Sequence, residues 1–156
     1  MSRIAIGADH AGYQYKQVLA EMLRDQGHEV ADLGTDGPQS VDYPDFARAV
    51  AEAVARGEAD RGILVCGSAV GVCIVANKIP GIRAGVCHQP YAARQAVEHD
   101  DMNVLCLGER VIGVEVARSV TEAFMAARFL DEGRHLRRLN KVLAVEDDYM
   151  NRPTEN

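Results

Sequence analysis

The 156-residue chain contains no tryptophan and only three phenylalanines, and aromatic residues make up 5% of it. It also lacks a block of Lys or Arg, because its 17 basic residues are scattered among 23 acidic ones, for a net charge of -6. A nucleic-acid or membrane-surface partner would require clustered basic side chains, so we expect neither. No apolar run approaches membrane-spanning length and no signal peptide is apparent, so we expect a cytoplasmic protein.

Metal-ligand patterns are absent as well. The four cysteines are 7, 14 and 19 residues apart along the chain, which matches neither a C-x-x-C motif nor a zinc site. A reducing compartment would keep them as thiols. The acidic residues Asp36, Asp42 and Asp45 show no ordered ligand spacing either. The sequence therefore predicts no metal and no cofactor.

Short apolar runs alternate with longer segments of helical period. The runs predict strands at 3–8, 28–33, 61–66, 82–87 and 103–108. Two of the predicted helices end at Gly27 and Gly57, and the others span 68–78, 91–98, 114–129 and 132–147. Continuously apolar strands separated by helices predict a parallel sheet covered on both faces. We therefore expect a doubly wound, Rossmann-like α/β/α sandwich with five parallel strands and a C-terminal helix, forming one domain over residues 1–150 with a flexible tail at 151–156.

In such a sheet, ligands bind beyond the carboxyl ends of the strands, where the strand order reverses. The first strand ends at Asp9-His10, without the G-x-G-x-x-G spacing of a dinucleotide site, and no acidic residue closes the second strand. An acid beside an imidazole can bind a sugar hydroxyl and a phosphate. The alternative is that Asp9 caps the following helix and His10 is merely exposed.

The segment LVCGSAVGVC, residues 64–73, ends a predicted buried strand on a cysteine. It has Val72 where a phosphatase loop needs arginine, no Lys after Gly71 as a Walker loop requires, and no aspartate at position 66 as in a phospho-receiver. A thiol followed by exposed amides at a helix start favours a thiolate and can stabilise an oxyanion, which suits proton abstraction beside a carbonyl. The alternative is that Cys66 fills the core, as we predict for Cys73.

Basic and titratable residues gather near the C-terminal helices. His99 lies at the end of the helix predicted at 91–98. It can exchange a proton with a sugar ring oxygen, or it can simply occupy a solvated helix end. Arg134 and Arg138 are four residues apart and share one helix face. With Arg110 they can grip a phosphomonoester, or they form a solvated basic face. The other face of the last helix is predicted to be buried through Leu136, Leu139 and Leu143.

Several short segments recur in order, at matching spacing, in one known family. They are Gly7 to Gly12, Asp42-Tyr43-Pro44, Cys66 to Gly71, Ala76-Asn77-Lys78, Gly81 to Ala84, Glu98-His99 and Gly133-Arg134-His135. Over about residues 3–147 the chain resembles the type B ribose-5-phosphate isomerases, a family that includes galactose-6-phosphate and allose-6-phosphate isomerases. The resemblance implies an aldose-ketose isomerase that moves a proton between C1 and C2 of a sugar phosphate without a metal.

The resemblance also implies roles for particular residues. Cys66 matches the base, and Ser68 assists it. A glutamate is the base in another branch of the family, but Val72 stands at that position here. His99 matches the group that opens the furanose ring, with Asp9 on the other side of the ring. The enediolate hole corresponds to the amides of Gly67, Ser68, Ala69, Val70 and Gly71.

The residues that bind the phosphate group in the family correspond to His10, Arg110, Arg134 and Arg138, and Tyr43 matches a substrate contact. Family members are dimers or tetramers in which a neighbouring subunit completes each site. The resemblance thus implies a homodimer or homotetramer with shared sites.

Two residues depart from the family pattern. Position 69 is usually glycine and is Ala69 here, which would strain the loop if that residue needs positive φ. Position 100 is usually asparagine, and the carboxylate of Asp100 cannot donate a hydrogen bond and would repel an enediolate. Asp100 therefore meets a substrate hydroxyl, or is held protonated, or the substrate is not ribose 5-phosphate.

The sequence predicts an isomerase of ribose 5-phosphate and ribulose 5-phosphate. One alternative is an isomerase of another phosphorylated sugar, such as a tetrose, allose or galactose phosphate. The other is a non-catalytic sugar-phosphate sensor in which Cys66 belongs to the core.

Overall fold

A computed structural model describes residues 1–151. The strands are β1 (Arg3–Ala8), β2 (Glu29–Asp32), β3 (Arg61–Cys66), β4 (Ala84–Val86) and β5 (Val104–Gly108). The helices are α1 (Tyr13–Asp25), α2 (Tyr43–Ala55), α3 (Val70–Ala76), α4 (Pro90–Asp100), α5 (Val114–Ala126) and α6 (Gly133–Met150). Apart from Asn151, the tail predicted at 151–156 lies outside the described residues. None of the helices just named is long and apolar enough to cross a bilayer.

The five strands form one parallel sheet in the order β2-β1-β3-β5-β4. Alternate residues of each central strand face opposite sides, as Ile63 and Val65 do on one side and Leu64 and Cys66 on the other. Helices α1, α4 and α5 pack on the first side, and α2 and α3 pack on the second. The predicted doubly wound α/β fold with a C-terminal helix is confirmed.

The first helix shows how local sequence produces these elements. Leu19, Met22 and Leu23 recur at helical spacing and are buried against the sheet. The helix ends before Gly27, which has a φ of 86°, and the amide of His28 donates to the carbonyl of Leu23 at 3.0 Å. Glycine tolerates this left-handed turn without steric cost, so the chain reverses there into β2.

The two edge strands differ from the expectation of continuously apolar strands. In β2, Glu29 and Asp32 are solvent-exposed, and β4 is only three residues long and partly exposed. Each edge strand has a neighbour on one side only, so its residues are less completely covered than those of β1, β3 and β5.

The last helix is less buried than predicted. Leu139 and His135 are its only buried side chains within the described residues, and the expected burial of Leu136 and Leu143 is wrong. The helix packs on α4 near its beginning, and its apolar face continues beyond that contact. Apolar side chains left exposed on α6 are Leu136, Val142, Leu143, Val145 and Met150.

The placement of Cys73 in the core is also wrong. Its thiol is half-buried at the border of the core and lines an apolar cavity of about 360 Å³ between α3, β4 and the end of α6. A hydrogen bond with Cys106 lowers the pKa of Cys73 to about 7, and the same bond together with burial raises the pKa of Cys106. All four cysteines are free thiols.

Candidate active site

The candidate site lies where the strand order reverses. The adjacent strands β1 and β3 lead to β2 on one side and towards β5 and β4 on the other, which leaves a crevice beyond their carboxyl ends. A cavity of about 380 Å³ opens there. Its walls are formed by Asp9, His10, Ala11, Tyr43, Cys66, Gly67, Ser68, Gly71, Arg110 and Val111. The structure thus brings together most of the site residues predicted at the two strand exits and in the loop after β5.

Asp9 and His10 are held by hydrogen bonds that orient them. Oδ1 of Asp9 accepts from the amides of Ala11 at 3.0 Å and Gly12 at 3.2 Å, so a ligand hydroxyl would be met by Oδ2. The amide of Val41 donates to Nδ1 of His10 at 3.2 Å. Because Nδ1 must be unprotonated to accept, the proton of the neutral ring lies on Nε2, which makes Nε2 a donor. Asp9 therefore shapes the turn before α1 and also lines the cavity.

That turn depends on a close backbone approach at Gly12. A Cβ at this position would lie 2.4 Å from the carbonyl carbon and oxygen of Val65. Only glycine allows the start of α1 to lie this close to the end of β3. This contact sets the Asp9-His10 turn next to Cys66.

Cys66 ends β3 with its side chain on the α2 and α3 side of the sheet. Cys66 is 5% exposed, and its Sγ accepts a hydrogen bond from the amide of Ala69 at 3.1 Å. Ala69 has a φ of 71°, so the non-glycine residue at this position does adopt a left-handed conformation. The hydrogen bond from the amide of Ala69 holds Sγ at the end of β3, facing the 67–71 loop.

The five backbone amides predicted to form the enediolate hole do not all remain available to a ligand. The amide of Ala69 serves the thiol, and that of Val70 donates to Oγ of Ser68 at 3.3 Å. Within residues 1–151, the amides of Gly67, Ser68 and Gly71 have no protein acceptor. These three are the amides free to bind an oxyanion.

The loop after β5 and the start of α2 close the cavity from the sides. The amide of Arg110 donates to the carbonyl of Gly67 at 3.1 Å, which fixes the arginine beside the 67–71 loop. A Cβ on Gly71 would lie 2.8 Å from the Tyr43 ring. Glycine at 71 is therefore what lets the Tyr43 ring pack against the loop and form a wall of the cavity.

Glu109 is a site neighbour that the sequence reasoning missed. It lines an adjoining cavity of about 300 Å³, which shares His10, Ala11 and Arg110 with the first. Burial raises the pKa of Glu109, and the charge of Asp9 raises it further. Its position beside Arg110, directly after a predicted strand, was the feature of the sequence that could have indicated a site residue.

The remaining predicted residues lie elsewhere. Because α4 leads directly into β5, His99 and Asp100 lie at the amino edge of the sheet, whereas Cys66 pairs with Gly108 at the carboxyl edge. The four residue steps from Val104 to Gly108 alone separate the two edges by about 13 Å. The exposed side chains of Arg134 and Arg138 lie on α6, which packs on α4. A single chain therefore does not bring these four residues to the cavity.

At the amino edge, hydrogen bonds fix the end of α4. Nε of Arg83 donates to the carbonyl of Asp101 at 2.8 Å, and Nη2 donates to the carboxylate of Asp101 at 2.9 Å. Asp101 has a φ of 51° and closes the helix. The neighbouring His99 stacks on His135 of α6.

The geometry can be compared with known proteins. Residues 4–142 match the ribose/galactose isomerase family. The chain is 45% identical to ribose-5-phosphate isomerase B of Escherichia coli over 94% of this chain and 97% of the relative. It is 41% identical to D-erythrulose-4-phosphate isomerase 2 of Mycolicibacterium smegmatis, over 92% and 97% of the two chains.

Solved structures agree with these matches. Clostridium thermocellum ribose-5-phosphate isomerase B superposes with a TM-score of 0.92 at 50% identity, covering 94% of this chain and 99% of that one. The family resemblance expected from the ordered motifs is confirmed. The chain belongs to the ribose/galactose isomerase family.

Proposed function

We propose that this protein is an aldose-ketose isomerase that interconverts ribose 5-phosphate and ribulose 5-phosphate by proton transfer through an enediolate. The observation that carries the proposal is the cavity in which the Cys66 thiol lies beside three free amides and opposite Asp9, His10 and Arg110. A base, an oxyanion hole and groups for an anion are what this reaction needs from the protein. The similarity to ribose-5-phosphate isomerase B supports the same activity.

In this mechanism the closed sugar is opened first. The bond between C1 and the ring oxygen breaks, the ring oxygen takes a proton from His99, and the anomeric hydroxyl gives one to Asp9. The Cys66 thiolate, held in place by the hydrogen bond from the amide of Ala69, then takes the C2 proton of the open aldose. The thiol then delivers a proton to C1, and exchange of the thiol proton with water before that delivery lets solvent hydrogen enter the sugar.

The enediolate formed between these steps carries negative charge on oxygen. The amides of Gly67, Ser68 and Gly71 are the donors available to it, in a site with little solvent around the thiol. As the C2 proton leaves, a hydroxyl proton must also pass from O2 to O1, and we assign this transfer to the Ser68 hydroxyl. We assign phosphate binding to the Nε2 proton of His10 and the guanidinium of Arg110, which both line the cavity. Tyr43 is assigned to a substrate contact on the cavity wall.

A second copy of the chain is needed to complete this site. The ring-opening His99, with Asp100, Arg134 and Arg138, lies at the opposite edge of the sheet from Cys66. Apolar side chains of α3 and β4 stay exposed beside the uncovered face of α6, among them Val70, Ile74 and Val86. A twofold homodimer that covers this surface gives each carboxyl edge the amino-edge residues of the partner, and two such dimers can form a tetramer.

We further propose that residues 1–150 act as a single isomerase domain in the cytoplasm. The four free thiols fit a reducing compartment. None of the described residues is assigned to a metal or cofactor, since a thiol base and amide donors can carry out the reaction themselves.

The test of the activity is the initial rate on ribose 5-phosphate, followed as ribulose 5-phosphate, with and without a chelator. We expect turnover that the chelator does not change. Turnover abolished by the chelator would refute the metal-free mechanism. In deuterium oxide, deuterium must enter the carbon-bound positions of recovered sugar phosphate, and its failure to enter would favour a non-catalytic sensor.

A second candidate is an isomerase of a tetrose phosphate, favoured by the similarity to an erythrulose-4-phosphate isomerase and by the departures at Ala69 and Asp100. Allose and galactose phosphates are further alternatives. Rates on a panel of aldose phosphates at equal concentration distinguish these substrates, and the highest kcat/KM identifies the preferred one.

A further inference from the structure

One buried histidine of the last helix has no role in the mechanism so far. His135 is only 2% exposed, although Arg134, Arg137 and Arg138 around it are exposed. Its imidazole stacks on that of His99, with ring centroids 4.2 Å apart and planes inclined by 28°. The contact joins the helix that carries Arg134 and Arg138, the arginines expected to bind phosphate, to the residue assigned to ring opening.

The hydrogen bonding of His135 is unusual for a residue that only fills space. Nε of Arg134 donates to its Nε2 at 3.4 Å, so Nε2 is unprotonated and the ring proton is on Nδ1. In the described part of the chain this buried Nδ1 has no hydrogen-bond partner. Burying an unpaired donor destabilises a protein, and a leucine in its place would avoid that cost.

The charge state of His135 follows from the same surroundings. Burial lowers the pKa of His135, and the neighbouring charges of His99 and Arg134 lower it further. The ring is therefore neutral near neutral pH. A neutral ring can cover one face of the His99 imidazole without repelling its protonated form.

We propose that His135 is a positioning residue for ring opening, which holds the His99 imidazole by stacking in the orientation that meets the ring oxygen of the closed sugar. The inference rests on the proposed function. With one face of His99 covered, rotation about its Cβ–Cγ bond, which would swing the ring out of its plane and into His135, is hindered, so its nitrogens stay aimed in a restricted set of directions. Orientation of a proton donor in advance of the reaction is worth a large factor in rate.

The two substrates of the reaction allow ring opening to be separated from proton transfer. Ribose 5-phosphate is closed through its C4 oxygen and must be opened before the thiol can act. Ribulose 5-phosphate stays open, because the C5 oxygen that would close on C2 carries the phosphate. Loss of the C1 proton signal of ribulose 5-phosphate in deuterium oxide therefore reports the Cys66 step without ring opening.

The experiment compares these two rates in His135→Ala and His135→Phe. In His135→Ala, which removes the stacking ring, we expect kcat on ribose 5-phosphate to fall about tenfold or more while the C1 proton loss stays within about threefold of wild type. His135→Phe keeps a flat ring and should restore the ribose 5-phosphate rate to within about threefold. His99→Asn should also lower kcat on ribose 5-phosphate selectively, and by a larger factor than His135→Ala.

A matched control is Leu139→Ala, which removes a buried side chain one turn further along the same face of α6 and leaves the ring that stacks on His99 in place. It should lower stability but leave the ratio of the two rates unchanged. Equal loss of both rates in His135→Ala, or no loss of either, would overturn the proposal. A wild-type protein that acts on neither sugar would instead refute the proposed function itself.

Discussion

The carboxyl and amino edges of the sheet differ in how much of a functional site a single chain encloses there. At the carboxyl edge, Cys66 is buried, bonded to a backbone amide and enclosed by residues of the same chain. At the amino edge, His99 is partly exposed, and the arginines of α6 project into solvent beside an uncovered apolar face. We propose that this difference reflects two roles, in which each chain carries out proton transfer at its own carboxyl edge and a second chain supplies ring opening. The predictions below test this assignment of roles.

The largest effect is expected at the thiol. Cys66→Ala should lower kcat on ribose 5-phosphate by roughly 10³-fold or more, because no other described side chain in the cavity offers a base in the same place. Inhibition by a non-reactive sugar-phosphate analogue should change little, since the phosphate contacts remain. Cys73→Ala is the control, because Cys73 lines a different cavity. Wild-type rates in Cys66→Ala would place the base elsewhere.

The proposed sharing of sites between two chains predicts complementation between two inactive variants. Mixed chains of Cys66→Ala and His99→Asn form one intact site in each mixed dimer, with Cys66 from one chain and His99 from the other. Since half of randomly paired dimers are mixed and half of their sites are intact, we expect about one quarter of wild-type activity. The presence of mixed dimers is checked by mass spectrometry of differently tagged chains. No recovery despite mixed dimers would show that both residues act within one chain.

A smaller effect is expected where α4 ends. Arg83→Ala removes two hydrogen bonds to Asp101, beside His99, so the free energy of unfolding should fall by about 1–3 kcal/mol. The rate on ribose 5-phosphate should fall by up to about tenfold, while C1 proton loss from ribulose 5-phosphate is largely retained. Arg48→Ala, which removes an exposed ion pair with Glu52 on α2, should change neither quantity measurably. A parallel fall of both rates in Arg83→Ala would show that the two edges are not independent.

The smallest effect concerns the loop around the thiol. Because Ala69 has positive φ, Ala69→Gly should relieve strain and raise the free energy of unfolding by about 0.5 kcal/mol, with turnover within about twofold of wild type. Ala69→Val, which places a branched side chain in the same fully buried position, should destabilise the protein instead. Chemical denaturation measures both. Loss of stability in Ala69→Gly would mean that the alanine methyl group contributes more by packing than its backbone conformation costs.

The carboxyl edge was the part most open to prediction from the sequence. Parallel strands and strand exits follow from apolar periodicity, and the exits of β1 and β3 are local segments, so Asp9, His10 and Cys66 could be placed together in advance. The fold class was predictable for the same reason. The positive φ of Ala69 was raised by the family resemblance, in which that position is usually glycine.

The amino edge was less predictable because its features depend on distant or external contacts. The exposure of Leu136 and Leu143 reflects how little of α6 a single chain covers. Cys73 was wrongly assigned to the core because helical spacing does not reveal that β4 is short and leaves a cavity beside it. The stacking of His135 on His99 joins two helices that are far apart in sequence, and no local pattern indicates it.

The uncovered face of α6 has a consequence for kinetics. If each site takes residues from two chains, the specific activity is a function of protein concentration, and it falls on dilution once subunits separate. The reaction rate then rises with the square of the protein concentration at high dilution, and linearly once all chains are paired. A substrate that bridges both chains would also hold them together, so the sugar phosphate itself would stabilise the assembly that consumes it.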